Sequence, residues 1–561
     1  MTYYKKNKFK TDLYPKDIFE KLEFDKILEL LTEKCYSPLG KKYVEHLKVQ
    51  TNPELIQKML IQVNEFKQML LYEEQQLPNN NFLDLKEELD FLSIQNAVLS
   101  EQQVFRVFKV LLVVIELVRY FEGVNNERIE KYPNLYNLVE KVSISRALIN
   151  EIKKVLDKEG RIRSDASKEL KQIRKQITNK YRDLDRRFVS VVNEYKKNGW
   201  LADNLESVRN GRRVLAVRAE HKRKIRGIIH DESQTGSTTF IEPDSTLRIN
   251  NEIVEFQQAE RREIYRILQI LTKALQPYHE ELAQYQKLLG LIDFIRAKGR
   301  LAWELQAQMP HISPQKNIEL YNARHPLLFL KKQKDTVPLS LNLSLSERIL
   351  LVSGPNAGGK SVLLKTVGLL QLMLQTGMLV PVDDHSVMSI FRNIYVDIGD
   401  EQSIENDLST YSSRLKNMRY YCDFANNKTL MLIDEFGSGT DPALGGAIAE
   451  AILEHLNKKF CYGVITTHYS NLKVYATRTT GIINGAMAFD YKTLSPKYKL
   501  EIGKPGSSFA FELAVKSGLK ADLIEVAKSK VDANYKEFDE LLSTMQREKQ
   551  EVMERERIVS N

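Results

Sequence analysis

Cysteine is nearly absent. Cys35, Cys422 and Cys461 are the only three among 561 residues, far apart and in no C-x-x-C spacing. That scarcity excludes a disulfide framework and a cysteine-built zinc site, and it points to a reducing compartment. Long apolar runs are missing too. The best candidate, residues 104–118, is interrupted by Arg106, Lys109 and Glu116, which suits a buried core helix rather than a membrane span. The first ten residues, Met-Thr-Tyr-Tyr-Lys-Lys-Asn-Lys-Phe-Lys, lack the apolar segment of a secretory signal. The expectation is a cytoplasmic protein with no membrane partner. Neither charge sign is scarce: 83 basic residues stand against 74 acidic ones, a formal net charge of +9. Such a modest excess suggests a polyanionic partner only if the cations are clustered.

What is present begins with a glycine loop. Gly354-Pro355-Asn356-Ala357-Gly358-Gly359-Lys360-Ser361 has the pattern G-x-x-x-x-G-K-S, preceded by the apolar run 350–353 and followed by an apolar, helix-length stretch to Gln375. Gly354 and Gly359 leave room for backbone N–H groups to turn onto phosphate oxygens. Lys360 supplies a point charge to the β- and γ-phosphates of ATP or GTP, and Ser361 a hydroxyl for Mg²⁺. The dipole of the following helix favours the same anion. Further along, Leu430-Met-Leu-Ile-Asp434-Glu435 reads as a strand ending in two carboxylates. Asp434 suits Mg²⁺ and Glu435 suits activation of water. A third apolar strand, from Tyr462, ends at Thr466-Thr467-His468, from which His468 could reach a γ-phosphate.

Length favours three or four domains, and 42% hydrophobic residues support real cores. A basic tail (1–16) precedes a helical core domain (17–150). Leu170, Ile173, Ile177, Leu184 and Phe188 give a narrow apolar seam to an outgoing lever helix (151–200). Residues 201–246 change texture: apolar and basic residues alternate as strands do, with further strands expected at 225–229 and 238–241. The cations Arg209, Arg212, Arg213, Lys222, Arg223, Lys224 and Arg226 cluster there. They are either a solvated face or a small basic clamp that grips a phosphate backbone. Helices return over 247–310. A nucleotide domain (318–533), in which strands and helices alternate, predicts a three-layer α/β fold. A charged, helix-prone tail (534–561) closes the chain.

Four motifs taken together carry a resemblance: the glycine loop, Asp407-Leu-Ser-Thr410-Tyr-Ser-Ser, Ile433-Asp-Glu-Phe-Gly-Ser-Gly-Thr440-Asp-Pro, and Thr466-Thr-His-Tyr-Ser. In this order they resemble the MutS family of DNA-clamping ATPases, within the ABC ATPase superfamily. Ser37-Pro-Leu-Gly-Lys, residues 229–243 and residues 503–510 extend the likeness across most of the chain. The resemblance implies a mixed fold: an all-α core and long lever helices with a small β-containing clamp insert, then a three-layer α/β ABC-type ATPase domain. It also implies ATP and Mg²⁺ as cofactors. Lys360, Ser361, Asp434, Glu435 and His468 would serve as described above. Gln402 would sense the γ-phosphate, and Ser409 would reach ATP held by a second copy, so that a homodimer completes each site.

The chain is most similar to the bacterial branch without mismatch-recognition and connector domains. No Phe-x-Glu wedge occurs in the first two hundred residues, and Phe240-Ile-Glu242 lies in the clamp segment instead. That branch usually continues into an Smr nuclease domain. Leu83-Asp-Leu-Lys86 lacks the glycine motif that would accompany one, so nuclease activity is not predicted. The implied function is an ATP-dependent clamp on branched or junction DNA that restrains recombination. Two alternatives stand beside it: a ribosome-associated ATPase that contacts rRNA and splits collided ribosomes, and a nucleotide-gated structural clamp with little turnover.

Overall fold

The computed structural model describes residues 11–73, 77–78, 82–123, 127–142, 145–355, 358–399, 410–490, 493, 495–507 and 510–530. A short strand, β1 (Asp12–Tyr14), precedes a run of helices ending with Arg146–Val155. The helix Lys168–Lys197 leads to β2 (Leu201–Arg209), β3 (Arg212–Arg218), β4 (Gly227–Glu232) and β5 (Thr238–Pro243), after which come the helices Asp244–Leu275 and His279–Glu304. The remaining strands are β6 (His311–Ser313), β7 (Ile318–Ala323), β8 (Leu339–Leu343), β9 (Glu347–Ser353) and β10 (Val387–Ser389). They continue with β11 (Asn393–Asp397), β12 (Thr429–Ile433), β13 (Tyr462–Thr466), β14 (Gly481–Asp490) and β15 (Ser495–Ile502). The architecture is mixed α and β, as the sequence predicts. None of the helices among the described residues is long and apolar enough to cross a membrane.

Two compact units divide the chain. One comprises Pro78–Arg119 and Glu140–Leu288; the other comprises Met1–Leu77, Tyr120–Val139 and Leu289–Asn561, so residues 17–150 are shared between them. In the first unit the helices Lys168–Lys197 and Asp244–Leu275 run antiparallel. Arg174 meets Glu260 at 2.7 Å, and Lys180 meets Glu252 at 2.5 Å. The Ser167 hydroxyl caps the first of these helices by accepting the Leu170 N–H at 3.0 Å, satisfying a donor that has no partner within the helix. Leu170, Leu184 and Phe188 of the expected seam are buried.

Strands β2 to β5 form an antiparallel sheet in the order β2-β3-β5-β4. Its core is Phe188, Val191, Leu201, Leu215, Val217, Ile225 and Ile241. Asn210 and Gly211, at φ +50° and +75°, turn β2 into β3; positive φ at both central residues matches the twist of a hairpin. The strand expected at 225–229 begins two residues later. Ile225 is buried in the core, and pairing starts at Gly227, where a Cβ would meet the Glu242 carbonyl oxygen at 2.1 Å.

The second unit holds a seven-stranded sheet in the order β1-β11-β12-β13-β9-β14-β15. Every neighbouring pair is parallel except β14 and β15. Strands β11, β12 and β13 are buried at every position, which is why they read as unbroken apolar runs rather than as alternation. The helix Lys360–Gln375 is likewise buried along nearly all its length. On another side of the sheet Met431, Ile433, Ile465, Met418, Tyr421, Ala449 and Leu453 share one core. Consecutive parallel strands thus end together, and the loops after β9, β12 and β13 converge. That is where open α/β sheets bind ligands. A separate four-stranded sheet has the order β6-β10-β7-β8.

Candidate functional site

The loop after β9 makes its turn with Gly354 at φ +133° and Gly359 at φ +90°, values that an L side chain rarely adopts. A Cβ on Gly359 would also meet the Tyr498 ring at 3.0 Å. The Gly358 N–H donates to the Pro355 carbonyl at 3.0 Å, closing the turn on itself. Asn356 and Ala357 lie outside the described residues, as do Gln402 and Ser409.

Lys360 opens the following helix and is only 3% exposed. Its Nζ donates to the Gly354 carbonyl at 2.6 Å and lies 2.9 Å from His468 Nε2. Burial pushes the ammonium down to about 8, partly offset by the carboxylates of Asp434 and Glu435. Burial, with help from the Lys360 and Lys473 cations, pushes His468 down to about 4. A neutral imidazole whose Nε2 accepts from Lys360 follows from those directions. The two side chains form a positive, desolvated corner suited to a polyanion.

The metal side is built with equal economy. Ser361 Oγ donates to Asp434 Oδ2 at 2.6 Å, and Thr466 Oγ1 donates to Asp434 Oδ1 at 2.6 Å. The same Thr466 hydroxyl accepts the Glu435 N–H at 2.8 Å. Asp434 is buried, and its own N–H donates to the Asp397 carbonyl at 2.8 Å. A hydroxyl and a carboxylate are hard oxygen donors, and they fit Mg²⁺, which takes one or two protein ligands and fills the rest of its shell with phosphate and water. Among the described residues no group of three or more His, Cys, Asp or Glu side chains is set to hold a metal ion by itself, and this donor set does not require one.

Glu435 is half-buried and sits at φ +49°, an unusual conformation for a residue with a Cβ. Its backbone is held at both ends. Thr466 takes the N–H, and Arg414 Nη1 donates to the carbonyl at 3.0 Å while also reaching Ser438 Oγ. Strained backbone of this kind persists only where its surroundings over-determine it. Sequence reading missed Thr466 and Arg414. Thr466 stood inside a quoted motif, whereas Arg414 is one cation on a polar helix and gives no local signal.

Gly354, Pro355, Gly358, Gly359, Lys360, Ser361, Asp434, Glu435 and His468 therefore gather at one edge of one sheet. The arrangement defines a P-loop nucleotide-binding domain. A family model described as MutS domain V matches residues 350–534. The chain is 34% identical over 534 residues to Endonuclease MutS2 of Halothermothrix orenii, covering 94% of this chain and 67% of that protein. Against Endonuclease MutS2 of Clostridium botulinum strain 657 it is 36% identical over 541 residues, with 96% and 67% covered. For the Geobacillus sp. WCH70 protein of the same name the figures are 35% over 535 residues, with 95% and 68% covered. The chain belongs to the MutS family, alongside its MutS2 members, and carries that family's ATPase domain. It spans about two thirds of the length of these relatives.

In the other unit the seven basic residues divide into two groups. Arg212 donates from Nη1 to both oxygens of Glu242 at 2.9 Å; that carboxylate is fully buried and also meets His230 at 2.6 Å and Asn250 at 2.7 Å. Arg213 pairs with Glu206 and Asp185, and it lies over the Phe188 ring. Arg209 pairs with Asp231 at 3.1 Å and covers Phe240, and Lys222 pairs with Glu232 at 3.1 Å. Arg223, Lys224 and Arg226 are exposed and make no ion pair with described residues, though Lys224 lies 5.6 Å from the centre of the Trp200 ring. Much of the basic cluster is thus engaged with its own sheet and the helices that flank it. Three adjacent cations face solvent.

Proposed function

We propose that this chain is an ATP-dependent nucleic-acid clamp that hydrolyses ATP to ADP and phosphate, acts as a homodimer, and holds branched DNA. The observation carrying this reading is the relay Ser361–Asp434–Thr466–Glu435 facing Lys360 and His468. Lys360 and His468 would neutralise the γ-phosphate oxygens. Glu435 would orient the attacking water and accept its proton as the new phosphorus–oxygen bond forms and the bond to the β-phosphate oxygen breaks. Mg²⁺, held by Ser361 and Asp434, would balance the charge of the β- and γ-phosphates. Ser409 of one chain would complete the site of the other.

The exposed cations Arg223, Lys224 and Arg226, which form no ion pair with the described residues, support contact with a phosphate backbone, where cations displace counterions. The word endonuclease in the relatives' name also fits a nucleic-acid partner. Mutual dependence is required: if ATP strengthens DNA binding, DNA must strengthen ATP binding by the same factor.

Steady-state ATPase with saturating Mg-ATP tests the catalytic half. Glu435→Ala should lose turnover by about 10²–10⁴-fold, the usual contribution of a positioned base, while still binding a nonhydrolysable analogue. Wild-type turnover in that variant would remove Glu435 from the mechanism. Absence of turnover in the wild type would leave a nucleotide-gated structural protein.

A further inference from the structure

The strand β1 lies in the stretch that the sequence offers only as a basic tail, yet it pairs in parallel with β11 at the edge of the ATPase sheet, Asp12 opposite Asn393 and Tyr14 opposite Tyr395. Three residues of edge pairing contribute little alone. Their side chains do considerably more. Asp12 Oδ2 accepts the hydroxyl of Tyr395 at 2.9 Å, and both its oxygens lie 3.2 Å from the hydroxyl of Tyr420. Tyr14 stacks on Tyr420 with ring centroids 3.9 Å apart and planes 12° apart, and its edge meets Tyr395 and Tyr421. The Tyr14 hydroxyl donates to Asn417 Oδ1 at 2.8 Å, and Asn417 Nδ2 donates to Asp397 Oδ1 at 2.9 Å. The main-chain carbonyl of the same Asp397 accepts the backbone N–H of Asp434.

Asn417, Tyr420 and Tyr421 belong to the helix Thr410–Phe424. Arg414 stands three residues before Asn417, on the same face at helical spacing, and it holds the carbonyl of Glu435. One rigid rod is therefore gripped by β1 toward its C-terminal end and reaches the strained Glu435 toward its N-terminal end. Burial and the Asp12 carboxylate push the Tyr420 phenol up to about 12 and raise Tyr395 as well, so both remain donors across the neutral range.

We infer that β1 is a positioning element of the ATPase site: Asp12 and Tyr14 fix the helix Thr410–Phe424, so that Arg414 keeps Glu435 in its left-handed conformation facing the phosphates. This rests on Glu435 being catalytic. The phosphate loop itself follows β9, which pairs with β13 and β14 and is separated from β1 in the sheet by β11, β12 and β13. Loosening β1 therefore separates turnover from nucleotide binding, which a general loss of structure would not do.

The test uses the full chain and three readouts: kcat for ATP, the Kd of a nonhydrolysable analogue, and the melting temperature. Tyr14→Ala should lower kcat by tenfold or more and change the analogue Kd by less than twofold. Tyr14→Phe, which keeps the ring stack and removes the hydroxyl that bonds to Asn417, should lower kcat about threefold with the Kd unchanged. Arg414→Gln should reproduce the Tyr14→Ala defect, and the double variant should be no slower than Arg414→Gln alone, because both act through one helix. Unchanged kcat in Tyr14→Phe and Tyr14→Ala, or a parallel loss of kcat and analogue binding, would overturn the inference. If Tyr14→Ala does not fold, Tyr14→Phe decides alone. Glu435→Ala, assayed beside them, separates the failures: turnover surviving in that variant defeats the catalytic reading itself, whereas its loss with normal kcat at Tyr14 defeats only the role of β1.

Discussion

Thr466 holds two carboxylate residues with one hydroxyl, donating to Asp434 and accepting from the Glu435 N–H. Thr466→Val preserves shape and removes both bonds, leaving Asp434 Oδ1 buried without that donor. A loss of about 1–3 kcal/mol is expected in chemical denaturation, the usual cost of a buried unsatisfied polar group, with kcat falling alongside. Lys360 gives a pH dependence. Burial pushes its ammonium down to about 8 in the free site, and bound phosphate must raise that value. Analogue affinity should therefore be flat below about pH 8 and weaken as pH rises through it, a trend that Lys360→Met should abolish together with most of the binding. His468 acts on stability in the opposite pH range. Held at about 4 against an ordinary 6.5, it leaves the unfolded chain binding more protons between those values. Its contribution is complete above the ordinary value and is lost as pH falls toward 4, and denaturant titrations of His468→Gln should show a shallower acid slope.

At the scale of elements, local chemistry was legible and long-range pairing was not. The glycine loop, the Asp434-Glu435 strand end and the His468 strand end each declare themselves within a few residues, and the structure brings their described members together. Strand β1 is too short to show alternation, and its partner Tyr395 is 383 positions away from Asp12. The basic segment was legible only as a cluster of cations, not in its internal pairing. Arg212 reads as one more surface cation because nothing local reveals that Glu242, thirty positions on, is fully buried and needs it. Removing one partner of a buried ion pair strands the other charge. Arg212→Ala should thus destabilise the first unit by about 3 kcal/mol, moderated by the remaining bonds from His230 and Asn250, as read by a denaturant midpoint. Arg223→Ala, Lys224→Ala and Arg226→Ala together should leave that midpoint in place.

For the molecule as a whole, the ATPase edge and the basic sheet occupy different compact units, and the proposed clamp needs them to be energetically coupled. Dimer-completed sites predict that specific ATPase activity falls on dilution below the dimer dissociation constant. A phosphate-backbone contact predicts that the triple alanine variant flattens the dependence of log affinity on log salt by about 2 to 3, close to 0.9 for each lost contact. The most direct measurement is retention of four-way DNA junctions by the full chain at physiological salt, with a nonhydrolysable ATP analogue and with ADP, beside collided ribosomes under the same conditions. The account predicts junction affinities differing at least tenfold between the two nucleotides, and a loss of that difference in Lys360→Met. Equal junction affinity in both nucleotide states, or nucleotide-dependent capture of ribosomes in place of junctions, would contradict it.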